Sequence, residues 1–287
     1  MRRLKQLAVA LVLLATPLTL TASAGQAPAW VGSWSVAVTP PDTSGISATG
    51  VTDRTLRQLG RSTVTIPVGA EWVSDPVRVA VPDDTDLVIS TYFPGPTGPL
   101  TQHPAGYATG FSVTGDQTAG DGSSYQAIPG TARYIIEGVD VQSRARGSIV
   151  LFGDSITDGV VSPVDQNLRY PDQLADRLLA QPPSRQLGVL NAGISGNRLL
   201  SNAGTAGDST LARFDRDVIG QTGARTVVLL EGIDDIGGSR GATDPADLIA
   251  VHRQFIQRAH QAGLKAIGAT LTPFEGAGYY TPRRRSG

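Results

Sequence analysis

The chain has 287 residues, 40% of them hydrophobic and 17% charged. That length can bury a substantial core, and that composition excludes a disordered chain. A formal net charge of −1 argues against non-specific capture of nucleic acid, and the absence of cysteine excludes disulfides, thiolate metal sites and a cysteine nucleophile.

Residues 1–24 read as an export leader. Arg2, Arg3 and Lys5 form a positive start, 7–20 is apolar apart from Thr16 and Thr19, and Ala22-Ser23-Ala24 supplies a small-residue cleavage pattern before Gly25. The apolar run is short and interrupted for a membrane span. The expectation is a signal peptide and a secreted mature protein with no stable membrane insertion.

Residues 25–145 are expected to form a β-rich N-terminal domain, a small antiparallel sandwich-like unit. β-Branched and aromatic residues cluster at 33–38, 63–68, 77–81, 87–93 and 107–113, with Gly, Pro, Asp and Ser between them. Trp72 and Tyr92 could touch a sugar or pack in a core.

From 146 to 287 the rhythm changes to alternating strands and helices. A strand at 149–152 is followed by a helix over 170–180, with Pro171 in its first turn and Leu174 and Leu178 one turn apart. A second strand spans 187–190. A helix over 208–219 carries Leu211, Phe214 and Val218 on one face and stops at Gly220. A third strand covers 225–230. Asp244 then caps a helix with Pro245 at its first position and a stripe of Leu248, Val251 and Phe255, before a fourth strand over 264–271. Such alternation predicts a parallel sheet, and a parallel sheet gathers the loops after its strands on one edge.

The loop after the first of these strands reads Gly153-Asp-Ser-Ile-Thr-Asp-Gly159. It is not a phosphate-binding loop, because its glycines are one residue too far apart and Val160 stands where lysine is needed. It is not a Gly-x-Ser-x-Gly elbow either, because Thr157 replaces the second glycine. The next loop, Asn191-Ala-Gly-Ile-Ser-Gly-Asn-Arg198, has glycines that let backbone approach a ligand. The third reads Glu231-Gly-Ile-Asp-Asp-Ile-Gly-Gly238.

These three blocks, in this order, resemble the SGNH, or GDSL, hydrolase family, in particular its exported actinobacterial members with an N-terminal β-rich domain. The resemblance implies a flavodoxin-like three-layer α/β/α domain. It implies that Ser155 is the nucleophile, that Gly196 offers an oxyanion N–H, and that Asp234 occupies the position of the asparagine whose amide completes the oxyanion hole. An ionised aspartate can only accept hydrogen bonds and would repel the oxyanion; a protonated one could donate. No cofactor and no metal are implied. The substrate class is a small ester or an acylated carbohydrate or lipid.

The family's last block, Asp-x-x-His, supplies the base and the acid that orients it. It occurs nowhere in these 287 residues. The sequence leaves the family pattern after Tyr279-Tyr-Thr-Pro282, and the α/β domain is expected to lack its last strand and helix. His252 and His260 fall on the 245–263 helix, and His103 in a proline-rich stretch of the β-rich region. The expected activity is therefore weak or absent esterase chemistry. One alternative is a non-catalytic exported protein that binds carbohydrate or cell wall. A metal-assisted site using Asp154, Asp158, Asp234 and Asp235 competes with a simpler role for those residues as caps and turn formers.

Overall fold

The computed structural model describes residues 29–33, 54–67, 70–83, 87–97, 99–240 and 242–280. The leader, and all but the first residue of the strand expected over 33–38, lie outside the described residues. No helix among the described residues is long and apolar enough to cross a membrane.

The N-terminal region holds small antiparallel sheets. β1 (Ala29–Ser33) pairs with β6 (Val139–Ser143), β2 (Gln102–His103) with β5 (Arg133–Tyr134), and β3 (Phe111–Ser112) with β4 (Gln126–Ala127). The described parts of the runs at 63–68, 77–81 and 87–93 carry no strand. Pro67 sits within the first run and Pro76, Pro82 and Pro94 flank the other two, and proline cannot donate to a ladder, so side-chain pattern alone overstated the pairing.

The second half builds the layered domain. In order come β7 (Ser148–Gly153), α1 (Ser155–Asp158), α2 (Tyr170–Leu179), β8 (Gly188–Gly193), α3 (Thr210–Phe214), β9 (Ala224–Leu230), α4 (Ile233–Gly238), α5 (Pro245–Gln261) and β10 (Lys265–Gly268). The strands form one parallel sheet in the order β10-β9-β7-β8. Every residue of the central β7 is buried. Because successive side chains alternate across a strand, Val150 and Phe152 enter a core with Phe214, Val218, Val251, Phe255 and Ala259. Ile149 and Leu151 enter the opposite one with Tyr170, Leu174 and Leu178. Thus α3 and α5 cover one face of the sheet and α2 the other. Phe214 stacks on Phe255 at 4.9 Å and meets Phe152 edge-on at 5.6 Å.

Three details differ from the sequence reading. The single helix expected over 208–219 is α3 followed by a wider π turn, Asp215–Ile219, closed by Gly220 N–H on Asp215 O at 2.7 Å. β10 ends at Gly268 rather than at 271. The third loop is helical, as α4. The register sets Gly153 beside both Gly193 and Leu230, so the ends of β7, β8 and β9 meet on one edge.

Candidate active site

The turn after β7 is a single helical turn. Buried Asp154 caps it, accepting from Ile156 N–H at 2.8 Å. Ser155 is the first helical residue and is half-buried at the sheet's C-terminal edge. The first N–H of a helix has no intrahelical acceptor, so the Ser155 N–H stays available. Asp158, at the other end of the turn, is 2% exposed.

The loop after β8 is pinned from several sides. Asn191 Oδ1 accepts from Gly193 N–H at 3.0 Å, and Ile194 N–H donates to Gly153 O at 3.0 Å. Ser195 N–H and Oγ both donate to Asp158 Oδ2, and Asn197 N–H donates to Ile194 O. A Cβ on Gly193 would fall inside the backbone of Thr157 and Asp158, so only glycine lets the loop lie against α1. Gly196 adopts φ +79°, a conformation glycine reaches without strain. Among residues 193–197, Gly196 alone has an N–H with no protein acceptor. The N–H left open is the one that the family resemblance assigns to the oxyanion.

In the loop after β9, helical geometry separates two adjacent aspartates. Asp235 turns inward and accepts from Leu199 N–H at 2.8 Å and Leu200 N–H at 3.1 Å, tying α4 to the β8 loop. Asp234 is half-buried, and its Oδ2 is sealed from water with no protein donor. Burial, then the charge of Asp154, holds the Asp234 carboxyl above its ordinary range; Asp235 adds to this and the guanidinium of Arg198 opposes it. The protonated form is the one able to donate. Asp154, Asp158, Asp234 and Asp235 do not converge as a metal-ligand group among the described residues.

Beneath the edge lies a buried polar cluster that sequence reasoning missed. Glu231 is 3% exposed. Burial, with Asp154 as its hydrogen-bond partner and neighbouring charge, pushes its carboxyl up to about 10. Burial raises the Asp154 carboxyl as well, with Glu231 as a hydrogen-bond partner opposing that shift. Thr210 Oγ lies 2.7 Å from Glu231 Oε1 and 2.8 Å from Asn197 Oδ1. Arg213, fully buried, joins Asn197 and the ends of β7 and β8. The available signals were a glutamate closing an apolar strand run and an arginine beside Phe214.

The histidines separate clearly. His252 Nδ1 sits 2.8 Å from Leu248 O within α5, and His260 is exposed on the same helix. His103, on β2, reaches the site region, its Nε2 lying 2.9 Å from Asp158 Oδ1. Its sequence context, a proline-rich stretch of the β-rich region, gave no sign of this contact. Among the described residues, no histidine hydrogen-bonds Ser155.

Residues 151–287 match the model of the GDSL-like Lipase/Acylhydrolase family. No curated protein matches the chain. Among solved structures it is similar to AlinE4, an SGNH-hydrolase family esterase, at 21% identity over 43% of this chain and 58% of that one, with a TM-score of 0.35. It is similar to the acetyl xylan esterase AlAXEase at 22% identity over 42% and 56%, TM-score 0.31. An inhibitor-bound aryl esterase of M. smegmatis aligns at 16% identity over 42% and 60%, TM-score 0.35. The matched region thus spans between 56% and 60% of those proteins' lengths.

Proposed function

We propose, from the premise that residues 151–287 belong to the GDSL-like lipase/acylhydrolase family, that this protein is a serine ester hydrolase by descent whose turnover is weak or lost. The observation that carries the reading is a set of open valences on the sheet edge. Among the described residues, the Ser155 hydroxyl and N–H, the Gly196 N–H and Asp234 Oδ2 have no protein partner, while Gly193, Ile194, Ser195 and Asn197 beside them each donate their N–H.

In this reading Ser155 Oγ attacks an ester carbonyl and forms the acyl-enzyme as the alcohol leaves. The Ser155 and Gly196 N–H groups, with a protonated Asp234, hold the oxyanion. Water then attacks the acyl group and frees Ser155. Among the described residues no histidine hydrogen-bonds Ser155, so in this reading its proton passes to solvent, which also protonates the departing alkoxide. In a serine protease, losing the histidine costs on the order of a million-fold in turnover, so acylation by an activated ester outlasts true turnover as the detectable activity. The substrate class is a small ester or an acylated carbohydrate or lipid. Residues 1–24 act in this reading as an export signal, and the α/β domain follows the β-rich region from about residue 146.

The test uses residues 25–287 with a fluorophosphonate probe and a chromogenic acetate ester. The expected result is a mass increment on the Ser155 peptide and a slow ester burst, both absent in Ser155→Ala. Wild-type protein that gains no mass at Ser155, and that hydrolyses the ester no faster than the variant, sinks the reading.

A second reading is capture of an acylated saccharide without turnover. It draws on the rings of Phe274, Tyr279 and Tyr280, spaced 5.8 to 6.0 Å apart, with Tyr279 packed over Gly237 of α4. Retention on acetylated polysaccharide that survives Ser155→Ala but not Tyr279→Ala supports it.

A further inference from the structure

The β7–β8 ladder ends at the site edge, where Gly153 O already accepts from Ile194 N–H at 3.0 Å. One buried side chain binds both Gly153 O and Ala192 O from beside the ladder. Arg213 Nη2 donates to Gly153 O at 3.0 Å and Nη1 to Ala192 O at 2.8 Å. Those carbonyls immediately precede Asp154-Ser155 and Gly193-Ile194. Arg213 Nε donates to Asn197 Oδ1 at 3.0 Å, and the Asn197 amide donates to Ala206 O and Asp208 O at 2.7 Å each.

We propose that Arg213 is the positioning residue of this site, holding the two loops that carry Ser155 and Gly196 at one spacing, with Asn197, Thr210 and Glu231 bracing it from the β8 and β9 ends. The proposal rests on the reading of Ser155 as nucleophile.

The physical argument is one of cost against geometry. The Arg213 side chain has no exposed surface, and its single ion partner, Asp217, lies 3.0 Å away and is partly open to water. Its guanidinium carbon sits 4.2 Å over the Phe152 ring. Neighbouring positions on the same helix face, Phe214 and Val218, fill the core with apolar groups. Burying a cation there adds little stability compared with a well-packed apolar side chain. What it adds is a planar fork of fixed donors that binds carbonyls of two different strands at once. A lysine is a single point charge and cannot reproduce that fork. The Thr210 hydroxyl stands 2.8 Å from Asn197 Oδ1 and 2.7 Å from Glu231 Oε1 and donates to one of them at a time, which packs the end of β9 against the same group. Thus the β7, β8 and β9 ends share one buried frame. Misplacing a reacting group by about 1 Å can cost on the order of 100-fold in rate.

The test compares wild type, Arg213→Lys, Arg213→Met, Thr210→Val, Glu231→Gln and Glu231→Ala by two readouts. One is the rate of fluorophosphonate addition to Ser155. The other is amide exchange over 153–156 and 192–197, with α5 as internal reference. Arg213→Lys is expected to melt cooperatively, to exchange faster in both loops with α5 unchanged, and to label on the order of 100-fold more slowly. Thr210→Val shifts both readouts in the same direction by less. Glu231→Gln recovers most of the labelling that Glu231→Ala loses. Arg213→Lys or Arg213→Met that labels and exchanges like wild type overturns the proposal. If neither Arg213 variant folds, Thr210→Val decides, and wild-type behaviour there overturns it. If wild-type Ser155 takes no probe, the nucleophile reading fails, and the exchange readout alone judges the positioning.

Discussion

His103 and Asp158 are 55 positions apart in the chain, yet His103 Nε2 lies 2.9 Å from Asp158 Oδ1. The other oxygen of Asp158 takes both the N–H and the hydroxyl of Ser195, next to Gly196. One buried carboxylate thus joins the N-terminal β region, the Ser155 turn and the loop of the proposed oxyanion donor. Asp158→Ala should cost about 1–3 kcal/mol, because it strands the Ser195 N–H. His103→Ala should cost less, since the histidine is partly exposed. Denaturant unfolding of both singles and the double variant measures their coupling; strictly additive losses mean that the two residues do not act together.

In the proposed reaction, Asp234 should make acylation of Ser155 depend on pH. Its carboxyl is held above the ordinary range, first by burial and then by Asp154. Protonated it donates to the oxyanion; ionised it repels it. Acylation of Ser155 should therefore fall as pH rises through that raised value. Asp234→Asn donates at every pH, so its advantage over wild type should widen as pH rises, toward on the order of 100-fold. A rate ratio that stays flat across the same pH range contradicts the donor role.

Glu231 links the site to stability. Burial and Asp154 push its carboxyl up to about 10 from an ordinary 4.5. Between those values the folded state holds a proton that the unfolded chain has released, so the contribution of Glu231 to stability is fully present below 4.5 and is lost as pH rises toward 10. Glu231→Gln removes this dependence and should flatten the profile. Urea unfolding at an acidic and an alkaline pH reads the difference, and equal slopes in wild type and variant refute it.

Phe152 holds the sheet to two helices at once through its contacts with Phe214 and Phe255. It is 0% exposed. Phe152→Ala should cost about 3–5 kcal/mol, read as a shift in denaturant midpoint with the slope unchanged. A loss under about 1 kcal/mol would show that the site collapses to fill the cavity.

The sequence by itself determined the order and period of the α/β elements. Apolar run length, the Pro171 and Pro245 helix starts and the Gly220 stop act locally, within a turn or two of chain. It also placed the loops of Ser155, Gly196 and Asp234 on one edge, because parallel topology allows no other arrangement. It overstated the N-terminal strands, since pairing there needs a partner that side-chain pattern does not reveal. Tertiary packing alone set Asp235 inward on two backbone N–H groups while Asp234 was left half-buried without a donor, left one N–H of the second loop free, and brought His103 to Asp158. It alone set Arg213 and Glu231 beneath the site. Those outcomes depend on which buried donors and acceptors meet across long separations, and desolvation fixes them only once the core has closed around them.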